Sequence, residues 1–144
     1  LTELPTGTVT FLFTDVEGST RLWEERPDAM RDALARHDQI LLAAVAAQDG
    51  YVVKKTGDGV HAAFATAAAA IGAATAMQRR LQLDDWDAVG GLSIRVGVHT
   101  GAAEARDGDY YGSSVNRAAR LMAIAHGGQV VCSQATADLV RDDL

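Results

Sequence analysis

The chain has 144 residues, 48% of them apolar and 22% charged, with two prolines and a formal net charge of −6. This composition excludes a disordered chain, and the acidic balance excludes a general nucleic-acid surface, which needs clustered Lys and Arg to displace counterions. The length fits one domain around one sizeable core, with a radius of gyration of roughly 15 Å.

Residues 8–15, TVTFLFTD, are β-branched and aromatic with no polar face, the pattern of a central strand covered on both sides. The strand runs into FTDVEGST at 13–20, an aspartate followed by a glycine and small hydroxyl residues that can start a helix and leave backbone NH groups free. From Pro27 to Gln48, Met30, Ala33, Leu34, Ile40, Leu41, Ala44 and Val45 recur at helical spacing, with Gly50 just past the end. YVVKKTGDGVHAAF predicts two short strands folded about Gly57, Asp58 and Gly59. Thr66 is placed to cap an alanine-rich helix running to about Leu83. Its apolar stretch, AAAAIGAATAM, is well short of the ~20 residues a membrane span requires, and no signal peptide is visible.

LSIRVGVHTGAAEA predicts a buried strand leading into a glycine-containing connection, and SSVNRAARLMAIA a helix closed by Gly127 and Gly128. QVVCS is a strand and QATADLVRDD a last helix. The single cysteine, Cys132, is expected to be a buried structural thiol and suits a reducing cytosol. This order of elements predicts an α+β, ferredoxin-like (palm-type) fold, with a mixed or antiparallel sheet and helices packed mainly on one face. If the second hairpin strand lies antiparallel beside the first strand, Asp15 and Asp58 meet at one sheet edge.

Two carboxylates at one edge can hold one or two hard divalent cations, with a phosphate chain supplying further oxygen ligands. Such cations activate an attacking hydroxyl and neutralise a leaving group. Taken alone, an aspartate before a glycine is more often a helix cap, and GDG more often only a turn. The combination is sharper. FTDVEGST, KKTGDG, RVGVHTG and DYYGSSVNRAAR follow one another in an order that resembles the class III nucleotidyl cyclases, the catalytic domains of adenylyl and guanylyl cyclases. The likeness runs from about residue 8 to residue 141.

The resemblance implies that Asp15 and Asp58 bind two Mg²⁺ or Mn²⁺ ions and that backbone NH groups near Glu17, Gly18 and Ser19 meet phosphates. It implies triphosphate contact for Arg95, ribose contact for Asn116 and transition-state stabilisation for Arg120, the last two sharing one helix face. The specificity positions fall on Lys54 and Asp109, a donor and an acceptor that suit the N1 and N6 of adenine, although Lys55 adjoins Lys54 and only one of the two can face the pocket. The implied activity is an adenylyl cyclase that converts ATP to 3′,5′-cyclic AMP and pyrophosphate. Because the chain carries both half-site sets, the implied assembly is a head-to-tail homodimer with two equivalent shared sites. A catalytically weak or inactive nucleotide-binding regulatory module is the rival reading.

The family's further lysine near the domain end, and the closing strands before it, have no counterpart, so residues 1–144 are expected to be one cyclase domain lacking them, with any regulatory domains elsewhere in a longer parent chain. The implied location is cytoplasmic, with no membrane insertion in this segment. His37 is expected in the core or at its boundary, His61 and His99 in strands and His126 at a helix end, with no spacing that joins them into a zinc set. Trp23 and Trp86 are expected to pack, Arg117 to face water, and the Glu17 carboxylate to favour a helix start.

Overall fold

The computed structural model describes residues 3–143. β1 (Thr8–Val16) lies at the centre of a five-stranded sheet of order β2-β3-β1-β4-β7, flanked by β3 (Gly59–Phe64) and β4 (Ile94–Ala102), both antiparallel to it. β2 (Tyr51–Thr56) forms one edge and β7 (Val130–Cys132), parallel to β4, the other. The expected ferredoxin-like α+β arrangement is present. Every residue of β3 is buried, and β1 is buried at both parities from Val9 to Leu12, as the apolar runs predict for strands covered on both faces.

On one face lie α2 (Pro27–Ala47) and α3 (Ala67–Leu83), whose Met30, Leu41, Val45, Ala70, Ala74 and Met77 interlock with Leu12, Val60, Phe64, Val96 and Val98. Pro27 opens α2 at its first helical position, where its missing NH costs nothing. Thr66 caps α3 by accepting from the Ala69 NH at 3.1 Å. Gln78 of α3 donates to the carbonyls of Ile94 and Gln129, tying this helix to the edge of the sheet. α5 (Gln134–Val140) closes the same side through Val140. The short α1 (Ser19–Glu25) leads from β1 into α2, and its Trp23 remains 37% exposed, where packing was expected; Trp86 is buried and donates to the Leu81 carbonyl at 2.7 Å.

α4 (Ser113–Ile124) occupies the opposite face, above β1 and β4. Its approach depends on Gly97: a Cβ there would fall 2.2 Å from the Met122 nitrogen and 2.6 Å from the Ala118 carbonyl oxygen. Beside it, the predicted connection after β4 is itself a hairpin, β5 (Glu104–Arg106) and β6 (Asp109–Tyr111), turned at Asp107 and Gly108, which both have positive φ. Tyr110 secures this hairpin: its ring meets Phe11 edge-on at 5.0 Å and its hydroxyl donates to the Pro5 carbonyl at 2.5 Å. Burial pushes the Tyr110 hydroxyl pKa up to about 12. Cys132, expected to be buried, is half-buried on the edge strand.

β2 carries one irregularity with a large effect. Tyr51 and Val52 pair with Ala63 and Ala62, but the register then slips so that Lys54 pairs with His61 and Lys55 with Val60. The bulge at Val53 puts the alternation of the residues before it out of step with that of the residues between it and the turn. Among the described residues, no helix is long and apolar enough to cross a membrane.

Candidate active site

The sheet face under α4 opens into a cleft of about 480 Å³ whose lining includes Asp15, Lys54, Asp58, His61, Asp109 and Asn116. Antiparallel pairing builds it: Thr14 lies opposite Val60, so the end of β1 meets the beginning of β3, and Asp15 and the turn residue Asp58 reach the same opening. Both aspartates are half-buried. Phe13 of β1 and its paired neighbour His61 of β3 supply the floor, and Val115, Ala119 and Met122 of α4 form the roof. A smaller groove of about 380 Å³ between α2 and α3 is lined by Arg36, Arg80 and alanines and brings together no comparable set of acids and bases.

Lys54 and Asp109 arrive from separate hairpins, 55 residues apart in sequence, and form an ion pair at 2.8 Å. The hydrogen bond from Lys54 holds the Asp109 carboxyl below its ordinary range, and the same contact raises the lysine. Lys55 points the other way. Its ammonium lies 3.1 Å from Asp38 of α2 and donates to the Gly57 carbonyl at 3.0 Å, pinning the turn that carries Asp58. Lys54, paired with His61, therefore lines the cleft, and Lys55, paired with Val60, does not.

Arg95 and Asp15 are direct partners across β4 and β1, and the guanidinium grips the carboxylate through two nitrogens, Nε to Oδ1 at 2.7 Å and Nη2 to Oδ2. Its remaining Nη1 donates to the Ala123 carbonyl at 3.1 Å. Asp15 foremost, with Glu17 and Asp58, raises the Arg95 pKa above its ordinary value. The expected triphosphate arginine is therefore engaged with the expected metal ligand and does not line the cleft.

Glu17 departs from expectation in two ways. Its NH, expected to meet phosphate, donates to the Ser93 carbonyl at 3.0 Å, because the chain leaves β1 still paired with the start of β4. Its carboxylate does not serve a helix start; it accepts from the Gly127 NH at 2.9 Å. Gly18, in the left-handed region, and Ser19 open α1 outside the cleft lining. Asn116 is exposed on α4 and lines the cleft, whereas Arg120, one turn further, is exposed and does not line it; Arg117 faces water as expected.

The sequence reading set aside His61 and gave no individual role to Phe13, Tyr110 and Val115, which all line the cleft. Strand alternation would have found the first two, because His61 and Phe13 are paired neighbours on one face. Tyr110 and Val115 depend on how the β5–β6 hairpin and α4 fold over that face, which no local pattern specifies. Burial drives the His61 imidazole pKa down to about 4, so the ring is neutral at pH 7.

Comparison with known proteins fits this geometry. The family model for the adenylate and guanylate cyclase catalytic domain matches residues 1–143. An uncharacterized protein of Mycobacterium tuberculosis is 43% identical over 138 residues, 94% of this chain and 46% of that protein, so the chain spans just under half of that relative's length. The adenylate cyclase of Neurospora crassa is 35% identical over 154 residues, covering 90% of this chain and 7% of that protein. Among solved structures, an adenylate cyclase of Trypanosoma brucei in its monomeric state superposes with a TM-score of 0.88 at 30% identity, covering 94% of this chain and 76% of the other.

Proposed function

From the premise that the chain belongs to the adenylate and guanylate cyclase catalytic domain family, the class III nucleotidyl cyclases, we propose that it makes cyclic AMP from ATP. The observation that carries the purine choice is the Lys54–Asp109 pair on the cleft wall. An ammonium donates to N1 of adenine and a carboxylate accepts from N6, whereas guanine presents the opposite polarity at both positions. The lysine is about half exposed (49%), and solvent weakens such a pair, so a base can part the two groups at little cost.

Asp15 and Asp58 fit divalent cations by their chemistry: two half-buried hard-oxygen donors on one cleft, few enough to leave positions for phosphate oxygens, as Mg²⁺ prefers. Mg²⁺ or Mn²⁺ held there would lower the pKa of the ribose 3′-hydroxyl and neutralise charge on the phosphates. The chain's own groups do the rest. Lys54 and Asp109 orient the base, and Asn116 holds the ribose so that its 3′-oxygen is in line with the α-phosphorus. The bond from that oxygen to phosphorus forms as the hydroxyl proton passes to solvent water and the bond to the pyrophosphate oxygen breaks. Arg120 stabilises charge on the transferring phosphoryl group, while Arg95, Gly18 and Ser19 hold the triphosphate. In this reading Arg95 turns from Asp15 to phosphate when substrate enters.

In this reading each site of a head-to-tail homodimer takes Asp15, Asp58 and Arg95 from one chain and Lys54, Asp109, Asn116 and Arg120 from the other, and the position of Arg120, exposed and off the cleft of its own chain, supports that sharing. Product formation from ATP and, separately, GTP with Mn²⁺ at high protein concentration tests the proposal. Cyclic AMP from ATP, abolished by Asp58→Ala, is the expected result. The Arg95–Asp15 contact favours one rival, a nucleotide-binding regulatory module without turnover. A folded, dimeric chain that binds ATP and yields no product would establish that reading instead.

A further inference from the structure

His61 has no part in the reaction as written, yet its placement is costly. Among the described residues, the enclosed side-chain polar atoms without a partner are Nε2 of His37 and Nε2 of His61. His37 lies in the core, and its other nitrogen pairs with Asp38 at 2.9 Å. His61 is 4% exposed, lines the cleft, and stacks on Phe13 with ring centroids 4.0 Å apart and planes 16° from parallel. In the sheet it stands between Phe13 of β1 and Lys54 of β2, the paired neighbour on each side. Its ring thus lies beside Lys54 on the face that carries the Lys54–Asp109 pair, and both charges act on it.

A leucine or methionine would fill this place without burying an unpartnered nitrogen. A neutral imidazole offers something those residues lack, one donor and one acceptor on a rigid plate. We propose that His61 is a third purine-recognition residue, whose unpartnered ring nitrogen engages the base when the base parts Lys54 from Asp109. Stacked on Phe13, the ring cannot tilt freely, so it fixes the depth at which the purine edge stops. The inference rests on the adenine reading of Lys54 and Asp109.

The test compares the unmodified chain with His61→Leu, His61→Gln and Lys54→Glu, measuring kcat and KM for ATP and GTP, calorimetric binding of each nucleotide, and the melting temperature. We expect His61→Leu to melt no lower than the unmodified chain, to raise KM or Kd for ATP about tenfold with a smaller change in kcat, and to shrink the ATP-over-GTP preference similarly. Glutamine, with a donor and an acceptor, should recover most of that loss. If His61→Leu keeps both the ATP affinity and the preference while Lys54→Glu loses them, the adenine reading stands and His61 only packs. If the unmodified chain shows no preference for ATP, the adenine reading falls and the role of His61 with it. A loss that tracks a lowered melting temperature in both His61 variants also overturns the proposal.

Discussion

Lys54 and Asp109 satisfy each other across the cleft, so reversing the charge of one should be felt first as a change of preferred base. Lys54→Glu, which sets two acids facing each other, is expected to lower kcat/KM for ATP about 100-fold or more and to move the ratio toward GTP, as measured by product formation from each nucleotide. Arg95 offers a prediction of opposite sign for binding and turnover. Because its guanidinium occupies the Asp15 carboxylate, Arg95→Met should free that carboxylate, and Mn²⁺ binding followed by electron paramagnetic resonance should tighten several-fold. Cyclase activity should fall in the same variant, because the triphosphate loses a cation. Equal Mn²⁺ affinity in the two proteins would mean that the ion pair imposes no cost on metal loading.

At the scale of elements, α4 carries Asn116 and Arg120 and rests directly on glycines of β4, Gly97 foremost. Gly97→Ala would set a methyl group 2.2 Å from the Met122 backbone and should cost about 1–3 kcal/mol in urea denaturation while reducing turnover, because the helix must lift from the sheet. Thr66→Ala makes a useful contrast: loss of the α3 cap should cost about 1 kcal/mol and leave the kinetics unchanged. The helices and the main sheet were legible in the sequence because they are local patterns. Pro27, Gly50, Thr66 and the GDG turn each mark an end, and TVTFLFTD has the unbroken apolar run of a buried strand. The β5–β6 hairpin was missed although Asp107 and Gly108 are a hairpin turn pair, because the three-residue strands beside it are too short for alternation to register. In the site, Asp15, Lys54, Asp58, Asp109 and Asn116 were found by motif and do line one cleft, whereas the ties of Arg95 and Glu17 depend on cross-strand and loop contacts that spacing does not encode.

For the whole molecule, the two half-site sets in one chain make a prediction about mixtures. Asp58→Ala and Asn116→Ala should each be inactive as pure proteins, and mixing them should restore activity by forming one intact shared site per mixed dimer. Mixed dimers demonstrated by cross-linking but without product would rule out sharing. Stability should also depend on pH in a direction set by burial. The folded pKa of His61, about 4, lies below its ordinary value of 6.5, so the unfolded chain binds the extra proton between those values. The stabilisation associated with neutral His61 is therefore complete above pH 6.5 and declines as pH falls toward 4, by up to roughly 3 kcal/mol. Burial lowers His37 and His99 in the same direction. Urea denaturation at pH 7.5 and pH 5 should give a smaller difference in His61→Leu than in the unmodified chain.

The irregularity at Val53 divides β2 into two segments whose lengths can vary separately. Removing Val53 would straighten the strand and still leave Lys54 opposite His61, since the pairing from Lys54 to the turn is already regular. Gaining or losing one residue upstream of Lys54 is thus absorbed as a local kink instead of being passed on to the base-reading end. Hairpins of this kind can change length over evolutionary time, or in a designer's hands, without turning the purine-facing lysine toward the helices.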